Sequence, residues 1–268
     1  MPREPVKSAV RALEILKLFS EERRELNQKE IIGRLHYPQS SATFLLKSMV
    51  HTGYLSFDRN RRTYLPAPEV YRIGEWLEGY GYEQMFRRGV LTALMAELRT
   101  RTGETISLTT QNDIYVQWHR IVEGESLSPS QRISEGGSFP LTWSAYGCVL
   151  LSRESDAQID RVIRLINARE PNPTRKADVA KTSAMLRDVR SKGICMMRNP
   201  CMNGAASVAM LLPVQIAGRN VAIGVGGDGE RIEANRDAIM RTLTTTIATY
   251  ADELAAAFCE ERHLPIAA

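Results

Sequence analysis

A chain of 268 residues, 43% hydrophobic and 25% charged, lies in the ordinary globular range and suits one large domain or two ordinary ones; disorder is not the default for this composition. The formal net charge of +4 is unevenly placed: residues 1–65 hold 12 Lys/Arg against 7 Asp/Glu, and the remainder 23 against 24. Phosphate neutralisation depends on local positive charge, so the asymmetry points to nucleic acid at the N-terminal end, with a solvated basic face as the plain alternative.

The segment VKSAVRALEILKLFS spaces Val6, Val10, Leu13 and Leu16 as one apolar stripe, flanked by Ile15 and Phe19, and predicts a first helix. Asn27 is placed to cap a second, QKEIIGRLH, with Ile31, Ile32 and Leu35 inward. After Pro38 a third helix, QSSATFLLKSMVHTG, turns Leu45, Leu46, Met49 and Val50 inward and stops at Gly53. Two short strand-like runs, YLSFD and RTYLP, then flank a basic turn that carries Arg59, Arg61 and Arg62. Three short helices and a basic hairpin make a winged helix-turn-helix, 1–66. Its third helix would enter the major groove, presenting Gln39, Ser40, Ser41 and Thr43 to base edges, with Lys47 reaching phosphate. Helix capping is the structural alternative for Ser40 and Ser41.

A helical linker over 67–85, broken near Gly79 and Gly81, leads to a longer helix ending at Gly103 and a region suited to dimer contacts. From Glu104 the pattern is α+β: a hairpin ETISLTTQ/DIYVQWHRI, the segment QRIS, a helix through WSAYGCVLLS, helices near 155–168 and 177–191, strands ICMM, AASVAMLLPVQI and RNVAIGVG, and a last helix from about Glu230 to Arg262. The run GVGGDG satisfies G-x-G-x-x-G, but no second parallel strand with an acidic residue follows it, so a strand-to-helix turn is the better reading.

In order and spacing these segments resemble the IclR family of transcription regulators over nearly the whole chain. SAVRALEILKLF resembles the family's opening helix, YPQSSATFLLKSMVHTGYLSFDRNRRTYLP its recognition helix and wing, and RTGETISLTTQNDIYVQWHRI, FPLTWSAYGCVLLS, GAASVAMLLPV and NVAIGVGG its effector domain. The resemblance implies a GAF-like α+β effector-binding and oligomerisation domain over 86–268, homodimers or homotetramers on palindromic double-stranded operators, and control by a small-molecule effector. Phe44 stands where the family often has arginine, which replaces a phosphate or guanine contact by a thymine-methyl contact or by packing.

The family's pocket maps onto Trp143, Ser144, Ala145, Tyr146, Met197, Ser207, Gly224 and Gly226. Free amides at the start of the helix bearing Ser144, Ala145 and Tyr146 would hold an organic acid, and Trp143 and Tyr146 would flank an aromatic or bulky body. Met197, Ser207, Gly224 and Gly226 replace an acidic residue, a cysteine and serines common in relatives, so the pocket is expected to be roomier and less polar.

No nucleophile elbow, P-loop or close His/Asp pair is present, and no enzyme activity is expected. The cysteines Cys148, Cys195, Cys201 and Cys259 form no C-x-x-C, and the histidines are scattered, so no metal and no cofactor is expected. A redox sensor using Cys148 or Cys195, and a winged helix that binds protein, remain as alternatives. No apolar run nears the roughly 20 residues that cross a bilayer and the opening MPREPVKSAV has no signal-like core, so a cytoplasmic protein is expected, with no membrane partner.

Overall fold

In the computed structural model the described residues are 6–77, 80–86, 88–125, 133–200, 202 and 204–258. Of the expectations above, Gly79, Gln131, Arg132, Cys201 and residues 259–262 fall outside them. The chain forms two compact units, 1–78 and 79–268, so the division falls inside the segment expected as a linker.

The first unit comprises α1 (Lys7–Glu22), β1 (Leu26–Asn27), α2 (Gln28–Leu35), α3 (Gln39–His51), β2 (Leu55–Asp58), β3 (Thr63–Pro66) and α4 (Pro68–Glu75). The side chain of Asn27 accepts from the amide of Glu30 at 2.9 Å while the amide of Asn27 donates to the Glu30 carboxylate at 2.8 Å, a reciprocal cap that fixes where α2 begins. Those contacts, with Arg24 at 2.8 Å, hold the Glu30 carboxyl below its ordinary range. The buried face of α1 is Ile15, Leu18 and Phe19. Leu13 is instead 68% exposed and Val6 69%. The apolar residues of α1 spread over more than one stripe, and α2, α3 and β3 select the one that they can cover. The wing is a three-stranded antiparallel sheet in the order β1-β3-β2, because Leu26 and Asn27 pair with Tyr64 and Thr63. Two residues are too short for an alternation pattern, so β1 left no trace in the sequence.

The second unit is built on six antiparallel strands in the order β6-β5-β4-β9-β8-β7. These are β4 (Thr105–Asn112), β5 (Tyr115–Val122), β6 (Ser138–Pro140), β7 (Ile194–Arg198), β8 (Ala205–Ile216) and β9 (Arg219–Asp228). On one face lie α5 (Tyr82–Phe86), α6 (Val90–Thr102), α10 (Gly229–Ala234), α11 (Arg236–Thr249) and α12 (Ala251–Phe258), packed on Ile106, Leu108, Val208, Ile223 and Val225. The other face carries α7 (Ala145–Leu151), α8 (Asp156–Arg169) and α9 (Val179–Lys192), packed on Val116, Trp118, Ala209 and Ala222. The C-terminal helix expected as one is therefore three in the described residues, divided at Asn235 and Tyr250. The glycine run lies within the antiparallel β9, and Asp228 caps α10, so no dinucleotide crossover exists there.

On the α7 side the central sheet presents small residues. A methyl group at Gly224 would lie 2.3 Å from the carbonyl oxygen of Val208, and one at Gly147 in α7 would lie 2.1 Å from that of Leu141. Gly224→Ala should therefore destabilise the second unit by about 1–3 kcal/mol, as overpacked cores do, with a lower urea midpoint by tryptophan fluorescence.

Candidate effector cavity and DNA-contacting face

The α7 helix starts where a one-turn 3-10 helix, Leu141–Trp143, gives way to Ser144 in extended geometry. The Ser144 hydroxyl accepts from the amide of Gly147 at 3.2 Å, and the amide of Ala145 donates to the Ser207 hydroxyl on β8 at 3.2 Å. Of the three amides expected to greet an anion, that of Ala145 is thus already engaged in tying the helix to the sheet, while the cap is closed by Gly147. Beside this junction lies a partly open cavity with about 50 Å³ accessible to the centre of a water molecule. Its wall draws on β4 (Thr105, Ser107), β5 (Trp118, Ile121), α7 and its cap (Ser144, Tyr146), β8 (Ala205, Ala206, Ser207) and β9 (Gly226, Gly227), with Glu123, Ile133, Asn199 and Met202 at its margins.

Trp118 and Tyr146 meet edge to face with ring centroids 5.8 Å apart, and Phe139 packs on Trp118 from another side at 5.4 Å. Both rings are buried; the indole Nε1 of Trp118 has no hydrogen-bond partner, and the Tyr146 hydroxyl, with Ser107 beside its oxygen, donates to none. Burial raises the Tyr146 phenol well above its ordinary pKa, with Ser107 acting weakly in the opposite direction, so the group remains a protonated donor across neutral pH. Among the described lining residues there is no lysine or arginine, and Glu123 is the one carboxylate. The described wall therefore offers neutral donors and aromatic surface.

Of the residues expected to form the pocket, the structure brings together Ser144, Tyr146, Ser207 and Gly226. A methyl at Gly226 would stand 3.9 Å from the Tyr146 hydroxyl, so this glycine does leave room. Gly224 does not, because its missing side chain is taken up by the approach of β8. Ala145 is buried against Ser207 rather than lining the void. Trp143 also lies off the lining, with the Arg175 guanidinium 6.0 Å above its ring. Met197 packs its sulfur 3.8 Å from that of Cys148 and faces an external groove with Cys195. The aromatic partner of Tyr146 is Trp118, which a reading along the helix could not find because it arrives from β5; its alternation with Val116 on the buried face was the available signal. The contact with Cys195, and then burial, raise the Cys148 thiol, the reverse of what a reactive thiolate needs.

In the first unit, Ala42, Leu46 and Met49 are the buried face of α3, which turns Ser40, Phe44 and Lys47 outward. Gln39 is exposed at the start of the helix and Ser41 is half-buried. Thr43 is occupied: it accepts from Gln28 of α2 at 2.7 Å and donates to the carbonyl of Gln39 at 2.7 Å, which makes it an interhelical clamp. Within the wing, Arg61 pairs with Glu25 at 3.2 Å, whereas the exposed Arg59 and Arg62 border an open surface with Gln28 and Lys29.

Residues 8–59 match the family described as IclR helix-turn-helix domain, and residues 88–254 match Bacterial transcriptional regulator IclR C-terminal. The chain belongs to the IclR family. Its relatives include the Pca regulon regulatory protein of Pseudomonas putida, 22% identical over 203 residues that cover 76% of this chain and 68% of that one. An IclR effector domain from Acinetobacter sp. ADP1 is 29% identical, with a TM-score of 0.55 over 60% of this chain and 92% of its own. The fold also superposes with an IclR homologue from Microbacterium hydrocarbonoxydans complexed with 4-hydroxybenzoate: TM-score 0.60, 17% identity, 92% of this chain and 99% of that one. As an IclR regulator the chain combines a DNA-binding helix-turn-helix with an α+β effector domain, and no helix among its described residues is long and apolar enough to cross a membrane.

An unpartnered buried hydroxyl costs about 1–3 kcal/mol. Tyr146→Phe should therefore leave the ligand-free IclR protein as stable as the wild type or more so, read as an equal or higher melting temperature.

Proposed function

We propose that this regulator binds a palindromic operator as a homodimer or homotetramer, and that a monocyclic aromatic acid in the Trp118–Tyr146 cavity sets its affinity for that operator. The observation that carries the reading is the pair of orphaned donors, Trp118 Nε1 and Tyr146 hydroxyl, buried on the wall of one cavity. Leaving two such groups unpaired is costly, and a ligand acceptor relieves both. The small volume, about 50 Å³ for the centre of a water molecule, suits a single ring better than the bulky body expected from the glycine substitutions. A carboxylate or phenol oxygen directed between the two donors, with the ring against Ile121, Ile133 and Ala206, satisfies the polar and apolar walls together. The relative named for the Pca regulon and the homologue holding 4-hydroxybenzoate support the aromatic class. Ligand binding would bias the arrangement of the dimer in which the two recognition helices match the operator half-sites.

Calorimetry with 4-hydroxybenzoate and a panel of benzoates tests the cavity. Trp118→Phe and Tyr146→Phe keep the rings and remove one donor each, and each should weaken binding about tenfold or more, since hydrogen bonds to a charged group are worth roughly 1.5–3 kcal/mol. Trp143→Phe should bind as the wild type does. Binding confined to aliphatic acids, or unaltered in both donor variants, would sink this placement.

Anisotropy titrations across salt concentrations test the DNA face. Arg59→Ala with Arg62→Ala should weaken binding to all duplexes and lower the salt slope by about two, because each arginine releases one counterion equivalent. Arg61→Ala, already offset by Glu25, should change it less.

A further inference from the structure

The outward face of α3 holds an anomaly. Between the polar Ser40 and Lys47 stands Phe44, 73% exposed and opposite the buried Ala42, Leu46 and Met49. Folding gains nothing from a phenyl ring left in water, so the ring is stabilised only by what later covers it. Its backbone is firmly held, because the hydroxyl of Ser48 donates to the Phe44 carbonyl at 2.9 Å and its neighbour Thr43 is clamped to α2. A shallow surface groove beside the ring is lined by Lys7, Arg11, Ser41 and Ser48. Lys7 and Arg11, the latter with its guanidinium 4.9 Å from the Tyr37 ring centroid, line the same groove as Phe44. Two cations beside an exposed aromatic ring suit a polyanion that also offers an apolar group better than an apolar protein surface, which would strip their water without supplying a counter-charge.

Duplex DNA has these two properties together. Its phosphates meet the cations, and in the major groove the 5-methyl of thymine is the apolar feature that distinguishes one base from the other three. We infer that Phe44 reads a thymine in each operator half-site through its 5-methyl group, with Lys7 and Arg11 on the adjoining phosphates. The inference rests on α3 being the DNA-reading helix and adds the base to which its central side chain responds.

The test is selection of full-length protein on a randomised duplex pool, followed by affinity measurements in which each thymine of the enriched sequence is replaced by deoxyuridine. Removing a buried methyl should weaken binding about fourfold per half-site and about fifteenfold for both. Phe44→Ala should lose the thymine preference at that position and the sensitivity to deoxyuridine. Phe44→Arg should exchange the preference for guanine. Since the ring is exposed, both variants should melt with the wild type, and the deoxyuridine series on the wild type needs no variant. Enrichment of an operator in which no thymine is sensitive to deoxyuridine, or in which Phe44→Ala keeps the sensitivity, would overturn the inference alone. Enrichment of no sequence would overturn the DNA-reading role of α3 and the inference with it.

Discussion

The close seating of α7 on the sheet is the constraint from which the effector domain follows. Ala209 and Ala222 form the floor beneath the helix, Gly147 lies where no side chain fits against Leu141, and the amide of Ala145 is tied to Ser207. A helix held this low brings Tyr146 down beside Trp118, which β5 raises from the same face. Larger side chains on β8 or β9 would lift α7 and open the aromatic corner to water. The same smallness at Gly226 leaves the void unfilled. Packing and cavity are thus one arrangement, and this is why Gly224 and Gly226, although adjacent on the alternating pattern of β9, play opposite parts.

The two proposed recognition surfaces would bind an anion in different ways. On the DNA face the arginines and lysines are exposed, where a charge keeps its hydration until phosphate replaces it. In the cavity a lysine or arginine would need a buried counter-charge whenever the site was empty, at a desolvation cost that such pairs rarely recover. Neutral donors escape that penalty. Trp118 and Tyr146 can stand unpartnered at a cost of a few kcal/mol at most and still form strong bonds to a charged acceptor. An empty site of this kind is tolerable, which a sensor requires.

A buried ion pair elsewhere marks how the cavity wall is joined to the C-terminal helices. Glu104, at the head of β4, lies beneath Arg231 of α10, with Nη2 to Oε2 at 2.8 Å, and Gly227 gives the carboxylate its space. Thr105 and Gly227 are both cavity residues, so the pair adjoins the void on one side and the helical layer on the other. Removing Arg231 would leave the buried Glu104 carboxylate without its cation, which is why such a pair holds elements in register even when its net contribution to stability is small.

Local pattern in the sequence determined the helix-turn-helix, the basic hairpin and the alternation of strands with helices, because caps, stops and apolar periods act over a few residues. Asn27 and Gly103 are legible in this way, and the family motifs extended the reading to Ser144, Tyr146, Ser207 and Gly226. Tertiary structure decided which stripe of α1 is buried, that Leu26 and Asn27 join the wing, that Thr43 is a clamp while Phe44 is free, and that Trp118 rather than Trp143 completes the aromatic corner. The reason is distance along the chain. Ser107, Trp118, Tyr146, Ser207 and Gly226 converge through antiparallel pairing of strands and the depth at which one helix sits on them, and neither quantity is carried by any single segment.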